Sequence, residues 1–390
     1  MSKIQKGVSA IFVREWRRYF SRPVYLICIV GIPLFCYFFF TTLMWNGVPE
    51  RLPIAVVDHD QTSVSRSLIR TLNSMSAVDV TKKLESYTAA RQAMQRNEIY
   101  AFIEIPEGFA AKASSGKQPE LAFFSNDAYF VAGLFTYKAL KLSAALANGA
   151  VVKATMLAKG MSEDEINSQL QPVVLNTNPL GNPWISYSIF LNNVILPCML
   201  ELMILIMTVF AIGIEIKEGN SRRLLIKSNR SLLRLLLGKL LPQTMLFTVL
   251  GVLLQVYLYG FLHFPLQNGL WPMIAAMFLM VIACQAVGVF MIGCLPSLRL
   301  GLSFACLTGV VAFSIVGFSL PVVSMYKAFH YISPLFPIRQ YFLIYGDQAL
   351  NGLPLWYSLP HYLYLVLFLL APLPVLPRLK KALYQQIYKP

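Results

Sequence analysis

Few residues in this chain are placed to make or break bonds. The four histidines, His59, His263, His330 and His361, are scattered, and neither H-E-x-x-H nor G-x-S-x-G occurs. An enzyme site needs a nucleophile–base pair or a metal set, and none is visible. Asp58-His59-Asp60 offers three ligand types in a row. No second His/Cys/Asp/Glu cluster completes it, and Asp at a strand end before a helix reads more simply as a cap. A phosphate-binding loop needs G-x-x-x-x-G-K-[ST]. Gly-Lys occurs at Gly116-Lys117-Gln118 and Gly238-Lys239-Leu240, but neither has the hydroxyl residue or the upstream glycine. Any nucleotide chemistry must come from another chain. Glu201 is the one acid well inside an apolar stretch, with Asn192, Asn193, Gln255 and Gln285 as candidate partners. A single carboxylate is thin support for an ion-driven relay. A structural hydrogen bond and a functional role both stay open for it.

The elements that carry these residues are mostly apolar. The chain has 390 residues, 56% hydrophobic and 13% charged, and its mean hydropathy is +0.58. Soluble chains carry about 25% charged residues. The composition excludes a water-soluble globule, a disordered chain and a disulfide scaffold. Six stretches are long enough to cross the hydrocarbon: 24–45, 186–214, 240–261, 271–295, 300–322 and 356–376. The first follows a basic segment and exceeds a secretory h-region, so it is expected to be an uncleaved anchor. All six cysteines, Cys28, Cys36, Cys198, Cys284, Cys294 and Cys306, fall in apolar stretches and read as packing residues.

Lys and Arg in the short segments set the orientation. The N-terminus, the loop after the second stretch, Arg299 and the tail carry most of those outside 46–183, against only Lys327 and Arg339 on the other side. Both termini are expected in the cytoplasm, and 46–183 outside. That segment holds equal numbers of acids and bases, so the net charge of +15 belongs to the membrane-associated part. It reads as anchoring against anionic lipid and not as a nucleic-acid surface.

In the N-terminal segment, 1–23, Val8, Ile11, Phe12, Trp16, Tyr19 and Phe20 recur at helical spacing, with Arg14, Arg17 and Arg18 opposite. The pattern predicts an amphipathic helix in the headgroup plane. Residues 53–125 alternate short apolar runs with helical periods. They predict strands at 53–57, 77–81, 99–105 and 121–125, helices at 63–75 and 87–96 and a short helix starting at 106–109, as a mixed or parallel sheet. Residues 127–170 look helical, as a stalk returning to the membrane. Residues 326–352 are aromatic but broken by Pro334, Pro337 and Gly346. A pair of short helices dipping into the outer leaflet fits better than a seventh span.

The loop Glu215-Ile-Lys-Glu-Gly-Asn-Ser-Arg-Arg-Leu-Leu, followed by a basic helix to Gly238-Lys239-Leu-Leu-Pro242, resembles that of ABC-2 type exporter permeases. There an E-x-x-x-G-T-x-x-x-L pattern leads into a short helix and then G-K-x-x-P. Glu215, Gly219 and Leu224 match, and Glu218 matches the acid that often precedes the glycine. Asn220 replaces the usual threonine, and Arg222 or Arg223 stands where an acid is common. The runs P-I-A-V-V-D-H-D and A-F-I-E-I-P-E-G-F resemble the large external domain of the drug-efflux-like branch, and the stretch from Gly317 through Pro321, Pro334 and Pro337 to Gly352 resembles the family's segment after the fifth span, which forms short re-entrant helices outside.

That resemblance implies a mostly α membrane protein of six transmembrane helices. It has an N-terminal interfacial helix (1–23) and an external α/β domain (46–183) between spans one and two. Spans two to six lie in 184–377, with a coupling loop at 215–239, and 378–390 form a cytoplasmic tail. It implies two permease chains, identical or paralogous, worked by separate ABC ATPase subunits that hold ATP and Mg, so that this chain carries no cofactor or catalytic group of its own. Glu215, Glu218, Gly219, Arg222, Arg223 and Leu224 would form the ATPase-coupling loop. A periplasmic adaptor and an outer-membrane channel are further partners the branch often uses, and the membrane would be the inner one. The cargo would be amphipathic or lipid-like, since charge-poor spans do not suit an ion path. The alternative is a multi-span receptor or assembly anchor whose external domain binds a ligand or partner.

Overall fold

The structure, a computed structural model, describes residues 7–43, 45–115, 117–170, 181–182, 186–318 and 320–386. Lys3, Lys6, Gly116 and Lys389 lie outside the described residues. The chain divides into two units, Met1–Trp45 with Pro179–Pro390, and Asn46–Asn178.

The first unit opens with α1, Val8–Ser21, and α2, Pro23–Leu43. Pro23 stands at the first helical position of α2, where its missing N–H costs nothing. The buried stripe of α1 is Ile11, Glu15, Arg18 and Tyr19. The expectation that Arg18 faces away from the packed side is corrected. Its i+3 relation to Glu15 and i+7 relation to Ile11 put it on the same side of the helix, where acids receive it. Phe12, Trp16 and Phe20 form an adjacent aromatic ladder, with ring centroids 5.8 Å and 5.4 Å apart.

The second unit is an α/β layer. Its strands are β1 (Leu52–Asp58), β2 (Val78–Leu84), β3 (Ala101–Ile105) and β4 (Ala122–Ser125), in the order β2-β1-β3-β4. β1 runs parallel to β2 and β3, and β4 closes the edge antiparallel to β3. The helices are α3 (Ser63–Asn73), α4 (Tyr87–Gln95), α5 (Phe109–Ser114), α6 (Phe130–Ala158) and α7 (Glu163–Leu170). Period-two alternation buries both faces of β1. Ile54 and Val56 pack with Leu68, Leu72 and Ala139 from α3 and α6, while Ala55 and Val57 pack with Ala90 and Ala93 from α4. At the end of β1, Asp58 Oδ1 accepts the Asp60 and Gln61 N–H groups at 3.1 Å and 3.0 Å. Asp60 Oδ2 accepts the Ala110 N–H at 3.2 Å. The Asp-His-Asp run is thus a turn that ties β1 to the helices on either side.

The first unit continues with α8 (Tyr187–Lys217) and α9 (Ser221–Lys227). Then come α10 (Leu232–Phe261), α11 (Leu270–Cys294) and α12 (Leu298–Ile315). The short helices α13 (Ala328–Ile332) and α14 (Pro337–Ile344) follow, and then α15 (Leu355–Leu367) and α16 (Leu376–Gln385). α8 is the axis: Leu200, Ile204, Leu205, Val209 and Ile212 are all buried in the main core. Between α15 and α16 the helix breaks into short 3-10 turns at Phe368–Leu370 and Leu373–Val375. Pro372 and Pro374 remove two helical donors there.

Among the described residues, seven helices are long and apolar enough to cross a membrane. Six coincide with the six apolar stretches of the sequence. The seventh, α6, is the least apolar after the others, and one side of it packs on the α/β sheet through Ala139 and Leu140. The fold is a multi-pass, mostly helical one with a small α/β unit.

Candidate functional site

Five acidic residues lie outside 46–183, and three of them, Glu15, Glu215 and Glu218, meet at one end of the helical unit. The loop residues that bring them together follow from how α8 ends. Gly219 has φ +69°, a left-handed position that suits glycine. The Asn220 N–H donates to the Glu215 carbonyl at 3.0 Å and the Gly219 N–H to the Ile216 carbonyl at 3.3 Å. This is a Schellman cap. The four-residue spacing from Glu215 to Gly219 therefore places Glu215 one turn inside α8 and turns the chain sharply into α9.

Lys239 of α10 is completely buried. Its Nζ donates to Glu15 Oε2 and to Glu215 Oε1, each at 2.9 Å. Arg14 Nη1 donates to Glu15 Oε1 at 2.7 Å and to Glu215 Oε1 at 3.1 Å. Arg18 donates to Glu215 through Nη1 and to Glu218 Oε2 through Nη2, the latter at 3.3 Å. Arg22 Nη1 reaches Glu218 Oε1 at 3.1 Å. Four cations and three carboxylates thus interlock α1, α8 and α10. A buried lysine without such partners would shed its proton or stay unfolded. Burial by itself would raise the Glu218 carboxyl, but Arg22 and Arg18 outweigh it and hold Glu218 below the ordinary carboxylate range.

The close approach of α1 to α10 depends on Gly238. A Cβ there would lie 2.8 Å from the Val8 carbonyl oxygen and 2.9 Å from Ile11 Cβ. The Gly7 N–H also donates to the Lys227 carbonyl at 3.0 Å, tying the start of α1 to the end of α9.

The anticipated loop residues divide by environment. Glu215 and Leu224 are buried, Glu218 is partly exposed, and Arg222 and Arg223 face solvent. Leu224 and Leu225 anchor α9 in the main core and leave Arg222, Arg223, Ile226 and Lys227 outward. The tail, unremarked in sequence beyond its charge, folds as α16 onto this loop. Ser221 Oγ donates to the Leu383 carbonyl at 2.7 Å, and the Arg222 guanidinium lies 5.1 Å from the Tyr384 ring centroid. Gln386 Nε2 donates to the Gly219 carbonyl.

Sequence reasoning left Glu15 and Lys239 aside. Two signals mark them: Glu15 is the sole acid before residue 50, and Lys239 is the last charge of α10, with only uncharged residues from Leu240 to Phe261.

Glu201 is buried in α8, away from that cluster. None of its four anticipated amide partners reaches it. Asn193 donates through Nδ2 to the Ile189 carbonyl at 2.8 Å and accepts from the Tyr259 hydroxyl through Oδ1 at 2.9 Å. Asn192 donates to Ser188 Oγ at 3.1 Å. Gln255 donates to the Met273 carbonyl at 2.7 Å, and Gln285 accepts from Thr244 at 2.7 Å. These amides find nearer groups on their own or adjoining helices. Glu201 instead accepts the Ile338 N–H at the start of α14 and a long contact from Cys284 Sγ at 3.8 Å. Among the described residues no group of three or more metal-ligand side chains is assembled.

Residues 23–374 match the family described as ABC-2 family transporter protein. A shorter stretch is similar to the linearmycin resistance permease protein LnrN of Bacillus subtilis (strain 168). That similarity is 28% identity over 118 residues, which is 30% of this chain and 30% of the relative. With the family matched over nearly its whole length and the helices in place to span a membrane, the chain belongs to the ABC-2 type transporter permeases, the membrane subunits of ABC transporters.

Proposed function

We propose that this permease is the passive gate of an exporter, worked from the cytoplasm by a separate ATPase that docks on α9 and its flanking turn. ATP and Mg would sit on that partner. The observation that carries the reading is the buried cluster of Lys239, Glu15 and Glu215. It welds the base of the loop to α1, α8 and α10, so a push on α9 moves three helices as one lever. Closure of the ATPases would tilt the spans and release an amphipathic or hydrophobic compound outward.

The charge asymmetry supports cytoplasmic termini and an external α/β unit. Six spans then satisfy the parity, with α6 serving as part of the external arm. A second permease chain, identical or paralogous, would complete the pathway. An adaptor and an outer-membrane channel are further partners of this reading, in an inner membrane. The similarity to a resistance permease supports efflux as the direction of transport.

A receptor or assembly anchor is the second reading. It is favoured by a cleft of about 960 Å³ on the α/β unit, lined by Ser67, Thr71, Lys117 and Glu120. Purification in mild detergent with identification of every co-purifying chain separates the two. A stoichiometric ATPase whose activity responds to candidate drugs and lipids supports the exporter; its absence, with ligand capture by the α/β unit, supports the receptor. Replacing Glu218 should uncouple that ATPase from transport while leaving the permease inserted. Unchanged stimulation would overturn the role of the loop.

A further inference from the structure

We propose that a groove between α10, α11 and the broken segment after α15 binds a long-chain amphiphile that carries a hydroxyl part-way along its chain. The site deepens the exporter reading, on which its orientation rests, by naming a class of molecule taken from the inner leaflet. The groove has a volume of about 540 Å³. Its walls are Leu237, Leu241 and Met245 of α10, Ile282 and Val289 of α11, and Leu373 beyond the break. Such a surface suits an acyl chain and offers nothing to an ion.

Two polar side chains in the lining each leave one buried atom without a partner. Gln285 is only 4% exposed, and its Nε2 has no hydrogen-bond partner among the described residues. Thr248 Oγ1 is likewise buried and unpartnered. The neighbouring Thr244 has one hydroxyl proton and two acceptors within reach, the Leu240 carbonyl at 3.0 Å and Gln285 Oε1 at 2.7 Å. If the proton goes to Leu240, Gln285 turns its amide and leaves an oxygen free in place of the nitrogen. In either state one amide atom at the groove is unsatisfied, which is costly in hydrocarbon. A hydroxyl, both donor and acceptor, satisfies both states. A carbonyl satisfies one.

Depth separates this ligand from ordinary lipid. Gln285 lies nine residues before Cys294, the last residue of α11, or about 13 Å along the axis. At that level a plain acyl chain presents only methylene groups. Arg230 and Arg234 are exposed and neighbour in sequence Leu233, which lines the groove, and their charge complements an acidic headgroup.

The test uses the full-length permease, without ATPase, in phosphatidylcholine nanodiscs. Radiolabelled 12-hydroxystearic acid and stearic acid are the probes. The wild type should retain the hydroxylated chain about five- to tenfold better, the range of one buried hydrogen bond. Gln285→Leu and Thr248→Val should each reduce that preference while stearic acid binding stays level. Ala286→Phe, which fills the groove, should lower both. Should Gln285→Leu fail to insert, Thr248→Val reads the same hydrogen bond. Equal retention by the wild type, or a preference that survives both polar replacements, assigns the groove to annular chains and overturns the proposal. Conversion of a dimer to a monomer by Ala286→Phe assigns it to a second copy and also overturns it. Because no ATPase is present, failure here leaves the exporter reading standing, and failure of co-purification leaves this binding result standing.

Discussion

Glu215 and Lys239, twenty-four positions apart in the chain, meet at 2.9 Å in a region closed to solvent. The lysine donates to two carboxylates at once. Lys239→Met removes the cation and leaves Glu15 Oε2 buried without its partner. The expected loss is about 3–5 kcal/mol, the usual cost of stranding a buried charge. Denaturant or thermal unfolding in a fixed detergent measures it. Adding Glu15→Leu to Lys239→Met should restore a large part of that loss. An additive double variant would show that the two residues do not act as a pair.

Gly219 and Gly238 are both required, for different reasons, and substitutions should separate them. Gly219 has open space around a built Cβ and a positive φ. Gly219→Asn should therefore couple nearly as wild type, because asparagine tolerates the left-handed region. Gly219→Val should cost about 1–2 kcal/mol at the turn and uncouple ATPase stimulation. Equal behaviour of the two variants would contradict the cap assignment.

Gly238 makes a contact where no side chain fits. Gly238→Val should push α1 from α10 and destabilise by about 1–3 kcal/mol through overpacking. The readout is proteolysis within 7–22, which should accelerate in the variant. An unchanged cleavage rate would mean that α1 does not depend on that contact.

The tail helix α16 should hold the loop still. Leu379 and Leu383 are buried beneath it. Leu383→Asp should detach α16, and hydrogen exchange over 219–227 should rise while exchange in α11 stays level. If the loop stays protected, α16 is only a passenger on its surface.

Much of this arrangement is legible in the residue order. The apolar stretches give the long helices, because twenty or so apolar residues need no partner to be recognised. Strand ends in the α/β unit fall within a few residues of the alternating runs, as Asp58 at the end of β1 shows. The E-x-x-x-G spacing is legible too, since a glycine just past a helix end is a local signal. The cluster is less so. Glu15 and Lys239 are separated by 224 positions, and nothing local says that they touch. Amphipathic periodicity placed Arg18 outward because it counts polarity and takes no account of an acid waiting on another helix. The amide partners of Glu201 failed for the same reason, since each amide met a nearer carbonyl or hydroxyl first.

Glu201 is where a structural carboxylate can be told from a proton carrier. Its Oε2 has no hydrogen-bond partner among the described residues, while the Ile338 N–H opens α14 beneath its other oxygen. An amide keeps that acceptor without the charge. Glu201→Gln should therefore insert, fold and transport as wild type, with stability equal or slightly greater. Glu201→Leu should cost about 1–3 kcal/mol, because it leaves the Ile338 N–H buried and unpaired at the start of α14. Thermal unfolding and ATPase-driven efflux, measured side by side on both variants, check this. If Glu201→Gln folds normally but loses transport, the carboxylate's proton is used in the cycle, and α14 is positioned by something else.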